Sequence, residues 1–162
     1  MSHSTGQKHR KNQDYVDHSV DVLRRSGGRI TKPRLAMLEC LARSERSLSA
    51  NDLMDKIRRG RNMPDVDLAT VYRNLEALSS LGLVHRVGPN GEFVACEHPA
   101  CEVDLHLIVH CLVCDRTREV DVPKDLLGSV KKYIQRSTHY SLEEHFLQMN
   151  GCCPDCTPPR KG

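Results

Sequence analysis

The chain has 162 residues with eight Cys, two Phe and no Trp, and its 24 Lys and Arg stand against 21 acids for a formal net charge of +3. That length suits one or two small domains with thin aromatic packing, and at this size a metal commonly supplements a limited core. With neither an N-terminal apolar stretch carrying a cleavage site nor an apolar run of bilayer length, a secreted disulfide scaffold and a membrane span are set aside, and a reducing cytoplasm in which thiols bind metal is expected.

The charge is unevenly placed. Residues 1–95 carry 16 Lys and Arg against 11 acids, whereas residues 96–162 carry 8 against 10, so a polyanion is expected on the first half. Residues 1–13, with His3, Lys8, His9, Arg10 and Lys11 and almost nothing apolar, read as a disordered basic tail. From Asp14 a first helix places Val16, Val20 and Leu23 on one face and stops at Gly27-Gly28. Thr31 caps a second helix with Pro33 in its first turn and Leu35, Leu38 and Leu41 at helical spacing. Ser49-Ala-Asn-Asp52 has the form of a capping box opening a third helix, which buries Leu53, Met54 and Ile57 and ends at Gly60.

Asp67 caps the fourth helix, Leu68 to Leu78, in which Leu68, Val71, Leu75 and Leu78 face inward while Thr70, Tyr72, Arg73 and Asn74 border the other side. Leu83 to Val87 and Glu92 to Ala95 read as two strands joined by the turn-forming Pro89-Asn90-Gly91. Helix, turn, helix and hairpin make a winged helix over residues 14–95, and in that arrangement the fourth helix enters the major groove by its N-terminal residues. Tyr72 and Arg73 are candidates for the groove with Thr70 and Asn74 beside them, and Lys32 and Arg34 for the phosphate backbone.

A loop over residues 96–104 leads to a second domain, residues 105–156, followed by a short tail, 157–162. Leu105, Leu107 and Val109 alternate with His106, Ile108 and His110 in a strand that runs into Cys111-Leu-Val-Cys114. Glu119 to Val122 is a second strand, Lys124 to Arg136 a helix with Leu126, Val130 and Ile134 on one face, and Tyr140 to Met149 a third strand ahead of Cys153-Pro-Asp-Cys156. The class is therefore α+β, with a winged helix-turn-helix preceding a small α/β domain.

Two Cys-x-x-Cys knuckles offer four thiolates, Cys111, Cys114, Cys153 and Cys156, to one tetrahedral Zn²⁺. A closed four-sulfur site has no open position for substrate, so that zinc holds structure together. A redox dithiol needs one such pair, and this chain has two. A zinc hydrolase or deaminase needs His-x-Glu or His-Glu-x-x-His to set a general base beside metal-bound water, and none of the nine His is followed so. No catalytic residue and no small-molecule substrate are expected.

Asp67-Leu-Ala-Thr-Val-Tyr-Arg-Asn-Leu75, Gly82-Leu-Val-His-Arg-Val87 and the knuckles, the second as Gly151-Cys-Cys-Pro-Asp-Cys156, together resemble the ferric uptake regulator family from about Asp14 to Cys156. The resemblance implies a homodimeric bacterial repressor on a palindromic operator in double-stranded DNA, with residues 105–156 as the dimerisation and metal-binding domain. It also implies a second metal site, at the hinge, whose occupancy controls DNA affinity. His85, Cys96, His106 and Glu119 resemble the hinge ligands of the zinc uptake branch, and two imidazoles, a thiolate and a carboxylate suit Zn²⁺. Two Zn²⁺ per chain are then expected, one structural and one regulatory, with zinc as corepressor of uptake genes. Iron and peroxide sensors of the family use nitrogen and oxygen ligands, and Cys96 is the softer donor that separates zinc from them. Cys101, His98 and Asp104 are alternative ligands in the same loop. His110 lies beside Cys111, and Ile108 stands where many relatives have a second His. The other ligands of a third site that His145 would join fall on Leu105, Leu107 and Leu126, so that site is incomplete. Cys40 reads as core and Cys152 as a bystander.

Overall fold

A computed structural model describes residues 4–60, 65–96, 106–120, 122–140 and 146–157. The chain divides into two compact units, Met1–Ala100 and Cys101–Gly162. The first unit carries α1 (Ser4–Arg25), α2 (Lys32–Arg43), α3 (Ala50–Arg58), α4 (Leu68–Ser80), β1 (Val84–Val87) and β2 (Glu92–Ala95). The second carries β3 (His106–Cys111), β4 (Thr117–Val120), α5 (Lys124–Thr138) and β5 (Phe146–Gly151).

In the first unit α1 begins at Ser4 rather than Asp14, extending without an apolar face through residues the sequence suggests are a tail. Of its expected stripe Val16 and Leu23 are buried but Val20 is only half-buried; Tyr15, which the spacing did not single out, is buried instead, and its hydroxyl donates to Leu83 O at 2.9 Å. Gly27, at φ 74, supplies the left-handed residue that ends the helix. Thr31 Oγ1 accepts from Arg34 N, and Asp67 Oδ1 accepts from Thr70 N at 2.6 Å, so both N-caps are side-chain caps. At α3 the capping box is complete, with Ser49 Oγ accepting from Asp52 N and Asp52 Oδ2 accepting from Ser49 N, each at 3.1 Å. Ser49→Ala is expected to cost about 1 kcal/mol, read as a lower urea midpoint with unchanged slope for the first unit.

Leu23, Met37, Leu38, Leu41, Leu53, Ile57, Val71, Leu75 and Leu78 form the core of this unit. β1 and β2 pair antiparallel from Val84↔Ala95 to Val87↔Glu92, and Gly91 takes φ 72 in their turn. Sequence patterning missed one component: Leu48, just ahead of α3, exchanges both backbone hydrogen bonds with Phe93 and adds a short third edge to the wing.

The second unit is a three-stranded sheet in the order β4-β3-β5, with β4 antiparallel and β5 parallel to β3. β4 starts at Thr117, two residues before the expected Glu119, because the knuckle itself is the hairpin turn. Cys111 N donates to Arg116 O, Asp115 N donates to Cys111 O, and Asp115 takes φ 57 to close the loop. β5 continues past Met149 to Gly151 because Gly151 pairs with Cys111, which carries the second knuckle back to the first. Its expected start near Tyr140 lies partly outside the described residues. α5 runs to Thr138 and ends on His139 in the left-handed region.

Alternation along β3 separates a buried face from an open one. Ile108 and His110 are buried, whereas Val109 is 38% exposed and its β5 neighbour on the same face, Met149, is 59% exposed. α5 likewise leaves Leu126, Val130 and Tyr133 exposed at positions one and two turns apart. No helix among the described residues is long and apolar enough to cross a membrane.

Candidate metal centres and the reading helix

Antiparallel return of β4 and parallel return of β5 put the two knuckles at the same end of β3. The sulfurs of Cys111, Cys114, Cys153 and Cys156 all lie within 4.8 Å of one another, and Cys114 Sγ is 3.8 Å from Cys153 Sγ. A tetrahedron of bonds near 2.3 Å has edges of about 3.8 Å, so the donor set fits Zn²⁺ in both kind and spacing. Cys153 N donates to Cys111 Sγ at 3.3 Å. With that amide and those of Val113 and Cys114 turned toward its sulfur, the Cys111 thiol is pulled down to about 6, whereas thiol neighbours push Cys156 up to about 12. The backbone thus favours a thiolate at Cys111, the form that ligates metal. Arg116 pairs with Asp155 across the two knuckles, one from each.

His85 and Cys96 come together by strand arithmetic. Cys96 N donates to Leu83 O, continuing the β1–β2 ladder one pair beyond Val84↔Ala95, so two-residue alternation turns His85 and Cys96 to the same face of the hairpin. Each is 1% exposed, and the ligating atoms of the two lie within 4.8 Å. A buried imidazole beside a buried thiol is a soft N,S donor pair. Of the expected partners, Glu119 is half-buried on β4 opposite Ile108, and His106 opens β3 opposite Phe146; both belong to the second unit. Cys101, His98, Asp104 and His145 lie outside the described residues. His110 Nε2 stands 3.7 Å from Asp115 Oδ1, wider than a hydrogen bond. Cys40 packs partly buried against the core and Cys152 is exposed.

On α4 the four candidates for DNA separate into two kinds. Tyr72 is 44% exposed and Arg73 is exposed, its Nη2 donating to Thr70 Oγ1 at 3.0 Å. Asn74 is only 9% exposed: its Oδ1 accepts from Arg34 Nε at 3.0 Å and its Nδ2 donates to Thr70 O at 2.9 Å. Lys32 is exposed at the start of α2, and Arg34, in the same first turn, also donates from Nη1 to Arg29 O at 2.9 Å.

The model of the ferric uptake regulator family matches residues 25–150. A ferric uptake regulation protein of Legionella pneumophila is 33% identical over 136 residues, spanning 83% of this chain and 95% of that protein. The peroxide-responsive repressor PerR of Staphylococcus saprophyticus is 26% identical over 141 residues, 87% of this chain and 90% of the other. Among solved structures, a zinc uptake regulator complexed with zinc and DNA superposes with a TM-score of 0.75 at 22% identity, covering 89% of this chain and 93% of that one. That last likeness shows a shared fold.

Proposed function

The chain belongs to the ferric uptake regulator family of metal-responsive transcriptional regulators, which bind operator DNA and are not enzymes, and we propose that the metal it answers to is zinc. The observation that carries this reading is the buried His85–Cys96 pair, in which one donor is a sulfur. Thiolate favours zinc over Fe²⁺, whereas nitrogen and oxygen sets serve iron and peroxide sensing. His106 and Glu119 complete the proposed set by their resemblance to the zinc uptake branch, and they bring an imidazole and a carboxylate that Zn²⁺ also accepts. Zinc bound there would supply a fixed coordination geometry about the His85 and Cys96 side chains.

In this reading the chain acts in the cytoplasm as a homodimer on a palindromic operator and represses zinc uptake genes when zinc is ample. Two Zn²⁺ per chain are involved, one at Cys111, Cys114, Cys153 and Cys156 and one at the sensor set. Support for the dimer comes from the open apolar positions Val109 and Met149 on the sheet and Leu126, Val130 and Tyr133 on α5, which a second copy would cover. Tyr72, Arg73 and Thr70 are proposed for the major groove, and Lys32 and Arg34 for phosphates. Arg73→Ala is expected to weaken operator binding by about 1–3 kcal/mol and relax preference at the base pair it meets, measured by anisotropy on duplexes changed one pair at a time. Unchanged affinity removes Arg73 from the interface.

The regulatory reading is tested by titrating buffered free zinc into the chain and an operator duplex. Affinity is expected to rise roughly 5- to 150-fold, the usual size of an allosteric coupling. A rise with Fe²⁺ and none with zinc would favour the iron or peroxide reading, toward which the names of the sequence relatives lean.

A further inference from the structure

We propose that Asn74 acts on DNA only through Arg34: it is a positioning residue that holds the Arg34 guanidinium ready for a phosphate, and it reads no base. This rests on the winged-helix reading of the first unit.

Asn74 sits on the reading helix among residues offered for the groove, yet both ends of its amide are committed inside the protein, Oδ1 to Arg34 Nε and Nδ2 to Thr70 O. An Asn that reads adenine must present its oxygen and its nitrogen together to one base edge. Asn74 keeps one N–H and one oxygen lone pair uncommitted, but an amide held at both ends and only 9% exposed cannot turn the two together onto one base edge. Its orientation is fixed by the same partners, since a flipped amide would set N–H against the guanidinium and C=O against the Thr70 carbonyl. It is also 9% exposed, whereas Tyr72 and Arg73 are exposed.

Arg34 receives the benefit. Nε is held by Asn74 and Nη1 by Arg29 O, so two points fix the plane of the fork. A guanidinium has five N–H donors, and those not so engaged suit a phosphate oxygen. A long Arg side chain ordered before contact loses less rotamer entropy when it binds. The tie also spans 40 residues of sequence, from the first turn of α2 to α4, so the phosphate contact and the groove contacts keep a fixed mutual register.

The experiment uses the full zinc-loaded chain and a palindromic duplex that the parent selects from a randomised library, with anisotropy read across a salt series and a panel of duplexes changed at single base pairs. Arg34→Ala is expected to weaken binding on every duplex and make the slope of log affinity against log salt shallower by about one. Asn74→Ala is expected to weaken every duplex by a common factor with base preferences unchanged. Added to Arg34→Ala, it is expected to cost less than about a further twofold, because its effect runs through the same side chain.

A changed preference at one base pair in Asn74→Ala, or a double variant whose loss is the product of the two single losses, overturns the proposal. Should Asn74→Ala fail to fold, Asn74→Asp decides, since a carboxylate still accepts from Arg34 Nε. In that background Arg34→Ala is expected to make the salt slope shallower again, and no change there overturns the proposal. A parent that selects no duplex at any zinc level overturns the regulator reading and this inference together; a parent that binds while the variants depart from these results overturns this inference alone.

Discussion

Cys96→Ser is expected to give a folded chain that binds its operator equally well with and without added zinc. The sulfur lies within 4.8 Å of a ligating nitrogen of His85, and both residues are buried. Serine keeps nearly the same volume, so packing in the hairpin is preserved, but its hydroxyl stays protonated at neutral pH and makes a poor zinc ligand where the thiolate is a good one. The expected loss is the whole metal response, roughly 5- to 150-fold in affinity. His85→Ala is expected to do the same from the nitrogen side. Cys101→Ser serves as the contrast: if it abolishes the response and Cys96→Ser leaves it as in the parent, the thiolate of the sensor is Cys101.

Removing the structural zinc is expected to unfold the second unit and leave the first standing. The buried apolar cluster of the first unit is built from residues 15–93, whereas Ile108 and Cys111 are the buried apolar residues among those described in the second unit. With so few buried apolar residues among those described, the sheet is expected to draw on its metal. Structural zinc contributes about 10–16 kcal/mol of apparent binding free energy in zinc-finger peptides, as large as the whole stability of a typical domain. Cys153→Ser, or prolonged treatment with a strong chelator, is therefore expected to abolish protection of β3, β4 and β5 amides from hydrogen exchange. Protection in α2 and α4 is expected to persist. Intact β3 protection in a zinc-free protein would mean that the four sulfurs are not what holds the sheet.

What could be read from the sequence was local. Thr31, Ser49 and Asp67 announce their helices because a cap and the amide it satisfies lie within three residues of each other. The two knuckles declare themselves for the same reason, each being two ligands at fixed spacing, and their union needed only that β3 and β5 end together. The pairing of Leu48 with Phe93 has no such signature, since a single bridge carries no periodicity and its partners are far apart in sequence. The buried face of β3 was also hidden. Alternation identifies two faces, but which of them is covered depends on elements elsewhere, and here Ile108 and His110 are buried while Val109 is open. Helical spacing places Asn74 beside Tyr72 and Arg73, and nothing in that spacing signals that its oxygen accepts from Arg34, which comes from another helix.

The decisive measurement is the element-resolved metal content of the operator-bound protein, purified anaerobically under reducing conditions and compared with the free, low-affinity form. Two zinc atoms and no iron per chain are expected on DNA, and one zinc per chain in the low-affinity form, with Cys96→Ser remaining at one. One zinc and one iron in the operator complex, or the same zinc content in both forms, would contradict zinc sensing at His85 and Cys96.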